Sequence, residues 1–330
     1  MRISYQELVD TFRSVLGRVG FSPDRADLCA RLFADASRDG VASHGLNRFP
    51  RFMDMIRLGV IDVSMTPVRV AGAGALERWD GRRGPGNLNA HACMDAAIAL
   101  SRQHGIGCVA LSNTNHWMRG GNYGWQAADA GAIGICWTNT LANMPPWGAS
   151  QPRVGNNPLV IAVPRPAGAV VLDMAMSQFS FGALESYRRR NELLPVVGGY
   201  NEAGELTRDA AAIEASRRPL PIGFWKGSGL ALMLDMVATV LADGRATHEI
   251  SHDPLHETDL SQVFIAMSAE RLGGGDASAA VARIIDDLHA PSQDDGAPRF
   301  PGERTLETRQ RNMSDGIPVD PGIWEAVKRM

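Results

Sequence analysis

From about Thr66 the chain changes texture, and that change limits its fold more than any other feature. Short β-rich runs appear at residues 68–70, 107–111, 133–137, 159–163, 170–173 and 263–267, and helical patterns at 88–104, 123–130 and 229–242 separate several of them. Strands alternating with helices predict a mixed α/β (α+β) layer. Before Thr66 the pattern is helical. Leu8, Phe12, Val15, Leu16 and Val19 recur at helical steps until Gly20 stops the run. Ser22-Pro23-Asp24 opens a second helix with Ser22 as N-cap, and Leu28, Leu32 and Phe33 form its apolar side. Pro50 kinks or restarts a third, because proline lacks an amide donor. The tail returns to helix over 279–288, passes a surface loop at 291–298 and ends in a helix from about Pro321. A chain of 330 residues is long for one core. We therefore expect a helical domain from residues 1–70 with 277–330, and an α+β domain from 71–276.

Several function classes are disfavoured. The net charge is −3 with both signs interspersed, which leaves no electrostatic footprint for nucleic acid or an anionic membrane. Cys29, Cys93, Cys108 and Cys136 stand far apart, as small buried residues in a reducing compartment do. No signal-peptide core opens the chain, and the apolar stretch 230–242, interrupted by Asp235, is too short for a bilayer and reads as a buried helix. A cytoplasmic protein is expected.

Two separated polar clusters carry the chemistry: residues 43–48, with Ser43, His44 and Arg48, and 115–121, with His116 and Arg119. Arginine clamps a carboxylate through two parallel hydrogen bonds, and histidine exchanges a proton near neutral pH. A site that holds a small carboxylate while moving a proton at an adjacent oxygen needs both. Either cluster alone also reads as ordinary surface polarity. Gly72-Ala73-Gly74-Ala75-Leu76-Glu77 is the nearest approach to a dinucleotide fingerprint, but Glu77 stands where the third glycine belongs. His248, His252 and His256 would share a helix face were it not for Pro254, so a solvated connection outweighs a metal site and no metal is expected. Trp225-Lys226-Gly227-Ser228-Gly229 fits equally a phosphate-approaching loop or the entry to an apolar helix.

Five signatures together resemble the malate/L-lactate dehydrogenase-like oxidoreductases, whose nicotinamide fold is not the Rossmann domain. They are Ser43-His44-Gly45 with Arg48, Asn115-His116, the run 155–159, Asp173-Met174-Ala175 with Ser177, and 226–229. The resemblance runs nearly the full length. Residues 43–52, 115–121 and 144–148 are similar to the subgroup that reduces 2,3-diketo-L-gulonate. It implies His44 as proton donor. It also implies cofactor contacts from Ala169, Val170, Val171, Leu172, Asp173, Met174 and Ala175, from Trp225 and Lys226, and from Gly302, Glu303 and Arg304. Asn201 departs from it, since many relatives are acidic there.

The expected activity is reversible hydride transfer between NAD(P)H and the carbonyl carbon of a 2-keto acid, with NADH preferred and a homodimer as the assembly. Arg48 would hold the carboxylate, and on a helix the four-residue spacing would put it on one face with His44. Ser43 would bond the keto oxygen or orient His44, His116 would complete the polar wall, and Arg119 within a polar Trp117-Met118-Arg119 insert would favour a hydroxylated substrate. Alternatives are oxidation of malate, lactate or ureidoglycolate, reduction of a cyclic imine carboxylate, or a catalytically silent ligand-binding relative, for which Asn201 is the sole support.

Overall fold

The computed structural model describes residues 1–272, 277–290 and 298–330, so the loop expected at 291–298 falls almost wholly outside the described residues. Helix α1 (Tyr5–Arg18) begins at Ser4, whose hydroxyl accepts from the Glu7 amide, and buries Leu8, Phe12, Val15 and Leu16. α2 (Pro23–Arg38) and α3 (Phe49–Arg57) each carry proline in the first turn, where a missing N–H breaks no helical bond. Pro50 thus starts a helix instead of kinking one. The chain ends meet beside them. β1 (Arg2–Ile3) pairs with β11 (Ile317–Pro318), and α11 (Pro321–Lys328) adds Trp324 and Val327 to the same core.

All six β-rich runs enter one sheet. It comprises β2 (Val68–Ala73), β3 (Leu76–Asp80), β4 (Ile106–Thr114), β5 (Ile133–Thr138), β6 (Leu159–Val163), β7 (Val170–Met174) and β10 (Leu260–Met267), in the order β2-β3-β4-β10-β5-β6-β7. Only β3 and β4 run parallel, joined by α4 (Gly86–His104); the other neighbours are antiparallel. Period-two alternation sorts the side chains. Val109, Leu111, Val160 and Phe264 cluster with α4 and with α5 (Gly121–Asp129). Ala110, Trp137 and Val263 cluster with α8 (Trp225–Ala242) on the opposite face. The stretch 72–77 spans the end of β2, the hairpin turn and the start of β3, with Ala73 paired to Leu76.

Two elements differ from expectation, and a third lies where the sequence pattern predicts no element. α8 is not a buried helix: Ala231, Leu234 and Ala238 pack on the sheet, while Met233 is 54% and Val240 74% exposed. A helix apolar all round looks buried in a sequence whatever covers it. α10 (Glu303–Asp315) occupies a stretch that reads as polar and irregular, because Asn312 is its only buried residue and no apolar stripe marks it. A small lobe of α6 (Phe181–Arg190), β8 (Gly199–Tyr200), β9 (Leu206–Thr207) and α7 (Ala210–Ser216) closes on Leu184, Leu194 and Ile213. Asn201 bridges the β8–β9 turn, its carboxamide bonding the Glu205 side chain at 3.0 Å and amide at 2.9 Å. His248 lies in one short 3₁₀ turn, Thr247–Glu249, and His256 in another, Pro254–His256, with His252 between them; all three are exposed. α9 (Ala277–Leu288) completes the described helices.

Candidate active site

Where α2 ends, the chain folds back in two 3₁₀ turns, Ala42–His44 and Leu46–Arg48, on either side of Gly45. The continuous helix that would put His44 and Arg48 on one face does not form. Gly45 is pressed against α2, where a Cβ would lie 2.8 Å from the Ser37 nitrogen and 2.9 Å from the Phe33 oxygen. The break still leaves both residues at one recess. Its opposite wall follows β4, where the buried Asn115 carboxamide donates at 2.9 Å to the carbonyls of Arg83 and Gly84. That anchor sets His116 against His44, their rings 5.8 Å apart and 25° from parallel.

The two imidazoles differ in their partners. The Met118 amide donates to His116 Nδ1 at 3.0 Å, so the neutral ring carries its proton on Nε2. Ser43 Oγ lies 3.1 Å from His44 Nδ1. Burial first, then the charges of Arg48 and Arg119, lower the His44 pKa to about 4. Burial, Arg48, His44 and Arg51 push His116 well below the usual histidine range. Arg48 is lowered to about 10 by burial and by Arg51, against the pull of Glu257, and stays charged at neutral pH.

Arg119 does not line this recess as a free specificity element. It is 4% exposed, with Nη1 at 2.5 Å from Asp39 Oδ2 and Nε at 3.9 Å from Asp173 Oδ2. Asp39 also takes Arg38 at 2.8 Å and Arg309 at 2.7 and 2.9 Å. Burial raises its pKa, but Arg309, Arg119 and Arg38 outweigh that and hold it well below the carboxylate range. Nor is the 117–119 insert polar: Trp117 belongs to the sheet core and Met118 to the helical core, pinning the two layers together.

Beside this network, Val171, Leu172 and Asp173 of β7 and Gly302 line a cleft of about 280 Å³ closed by Arg119 and Trp125. The Val171 amide donates to the Pro301 carbonyl at 2.9 Å. Gly302 caps α10 at φ +92°, where a Cβ would stand 3.1 Å from the Val171 nitrogen and oxygen, so only glycine fits.

The description of the malate/L-lactate dehydrogenase family matches residues 3–328. The chain is 44% identical to 2,3-diketo-L-gulonate reductase of Citrobacter koseri and 45% to that of Escherichia coli K12, each over 333 residues covering 100% of both chains. Sulfolactate dehydrogenase from Methanocaldococcus jannaschii has the same fold, with TM-score 0.92 and 26% identity over 100% of this chain and 96% of that one. The chain belongs to the malate/L-lactate dehydrogenase family. It is an oxidoreductase, and the dehydrogenases of this family use a nicotinamide cofactor.

For a malate/L-lactate dehydrogenase-family cofactor the cleft is chemically suited. Trp125 Nε1 and Arg119 Nε are buried donors without a hydrogen-bond acceptor among the described residues, and the glycine-capped start of α10 opens beside them. Ala169 and Val170 lead into the cleft strand, whereas Met174 packs toward α8 and Ala175 follows it. Trp225 and Lys226 open α8 on the other face of the sheet, with Trp225 66% exposed. Glu303 Oε2 accepts from the Phe300 amide at 3.1 Å and stands 3.3 Å from His289 Nε2. Arg304 is exposed and makes no ion pair among the described residues. Sequence reasoning missed Asp39, Arg51, Trp125, Glu257 and Arg309. The one available signal was Arg51, a helical step beyond Arg48.

Proposed function

We propose that this enzyme reduces a 2-keto acid with NADH, and that 2,3-diketo-L-gulonate is its preferred substrate. The observation that carries the reading is the pair His44 and His116, 5.8 Å apart, in one recess with Arg48. The full-length similarity to 2,3-diketo-L-gulonate reductases supports the substrate. The bound nicotinamide supplies the hydride. Arg48 holds the substrate carboxylate in its planar fork. His116, whose pKa burial and the neighbouring cations push well below the usual histidine range, donates from Nε2 to the keto oxygen. His44 protonates that oxygen as negative charge develops there, with Ser43 orienting its ring. A carboxylate on Arg48 cancels part of the positive field at His44 and raises its pKa in the complex. General acid help of this kind contributes ~10²–10⁴ in rate. Arg119, tied to Asp39, lines the cofactor cleft and its charge also reaches His44, so cleft and substrate recess adjoin there.

Residues 169–175 and 302–304 hold the cofactor in this reading, with Trp225 and Lys226 reached round β7, the edge strand of the sheet. Glu303, steadied by Phe300 and His289, accepts from ribose hydroxyls and repels a 2′-phosphate. The outer stripe of α8, with Met233, Met236 and Val240, supports a homodimer. A panel of 2-keto acids and a cyclic imine carboxylate, each with NADH and NADPH and followed by nicotinamide absorbance, tests the activity. Turnover confined to the imine, or none at all, would refute it. Sedimentation of the parent and of a Met236→Glu, Val240→Glu variant tests the dimer; a monomeric parent would end that part of the proposal.

A further inference from the structure

Glu257 is a buried carboxylate in a recess otherwise built to attract anions. It follows the Pro254–His256 turn, is 4% exposed, and is acidic where the proposed reaction uses only cationic and neutral groups. Its Oε2 stands 3.7 Å from Arg48 Nη2 and 3.8 Å from Arg51 Nη2, beyond hydrogen-bond distance of either. Arg51 donates to the Pro254 carbonyl. Arg48 donates no side-chain hydrogen bond among the described residues, so its fork stays available. With His44 neutral in the free enzyme, the two guanidiniums against this one carboxylate leave a single net positive charge, which the exposed Asp253 beside Arg51 reduces further. One substrate carboxylate balances it. A second would overfill the recess and would sit beside Glu257 if it turned to Arg51. Charges buried together are poorly screened by salt, so this repulsion persists in solution.

We propose that Glu257 is a specificity-determining residue that restricts the site to 2-keto acids carrying one carboxylate and turns away dicarboxylates. The inference rests on Arg48 as the carboxylate clamp. Isosteric Glu257→Gln keeps the shape, removes the repulsion and leaves Arg51 free to take a second carboxylate. A purely structural counter-ion would behave differently: its loss would weaken every substrate and the fold alike.

The test compares kcat/KM for pyruvate and oxaloacetate with NADH in the parent and in Glu257→Gln. The parent should favour pyruvate. The variant should move the ratio toward oxaloacetate at least ~10-fold, mainly through KM. An unchanged ratio, or equal losses on both substrates with a lowered melting temperature, would overturn the proposal. Ligand-induced melting shifts with L-lactate and L-malate give a readout independent of turnover. Lactate should stabilise both proteins, and malate only the variant; malate stabilising the parent as well as lactate does would also overturn it. Arg48→Lys isolates the underlying reading. If that variant binds lactate as the parent does, or if neither ligand shifts any of the proteins, the clamp fails and this inference falls with it.

Discussion

Removing the charge of Asp39 should cost this protein more than removing any of its surface ion pairs. The carboxylate is 1% exposed at its side chain and serves Arg119, Arg309 and Arg38 together. In Asp39→Asn, Arg38 keeps Asp35 at 2.7 Å and can reach water, as can Arg309. Arg119 cannot. It stays 4% exposed, with Asp173 at 3.9 Å as its nearest carboxylate. Stranding a buried charge in this way costs roughly 3–5 kcal/mol, and the partial relief of the other two arginines points to about 3. Urea unfolding at neutral pH measures it. The pH dependence supplies a second mark. Because the folded pKa of Asp39 lies below the unfolded value of about 3.9, its stabilisation is complete above that value and is lost as pH falls through the folded one. The parent's lead over the variant should therefore shrink on acidification below about pH 4. NADH affinity should fall as well, since Arg309 stacks on Trp125 at 4.3 Å and ties α10 to the cleft. A loss under about 1 kcal/mol, or a lead that stays constant down to about pH 3, would refute the reasoning.

Four further outcomes are expected. His44→Asn should keep the fold and NADH binding while lowering kcat at least ~10²-fold, and near-normal kcat would transfer the proton to His116. For reduction, kcat/KM should fall as pH rises above about 4, because the free enzyme must hold a proton on His44. The break in kcat should lie higher, and coincident breaks in the two profiles would count against a substrate carboxylate beside His44. Arg48→Lys should raise KM for the 2-keto acid by ~10-fold or more with little change for NADH, and an unaltered kcat/KM would remove Arg48 from the site. Glu303→Ala should shift the cofactor ratio toward NADPH; a parent that prefers NADPH, or a ratio that does not move, would show Glu303 to be only a loop clasp.

The strands were legible because each carries a β-rich apolar run, and the alternation along β4 and β10 then divides between two real cores. α1 and α2 were legible through their periodic apolar side chains, and α2 through its start at Ser22-Pro23, where the Ser22 hydroxyl makes no capping bond. His44, Arg48 and His116 stood out because imidazole and guanidinium carry their chemistry wherever they are placed. What local pattern could not hold is what covers what. α8 is apolar on every side, and only the sheet decides that Ala231 is buried while Val240 is not. α10 lacks an apolar stripe, so its place was invisible until Gly302 met Val171. The Trp117-Met118-Arg119 insert looked like a substrate contact, yet two cores and Asp39 claim its three side chains. Asp39 and Arg309 are 270 residues apart, and Arg51 reaches the carbonyl of Pro254 from 203 residues away. Residue type and period are local properties, and the sequence displays them. Burial, and the partners that turn a charge into a clamp or a filter, exist only once distant segments have packed and water has been removed from between them.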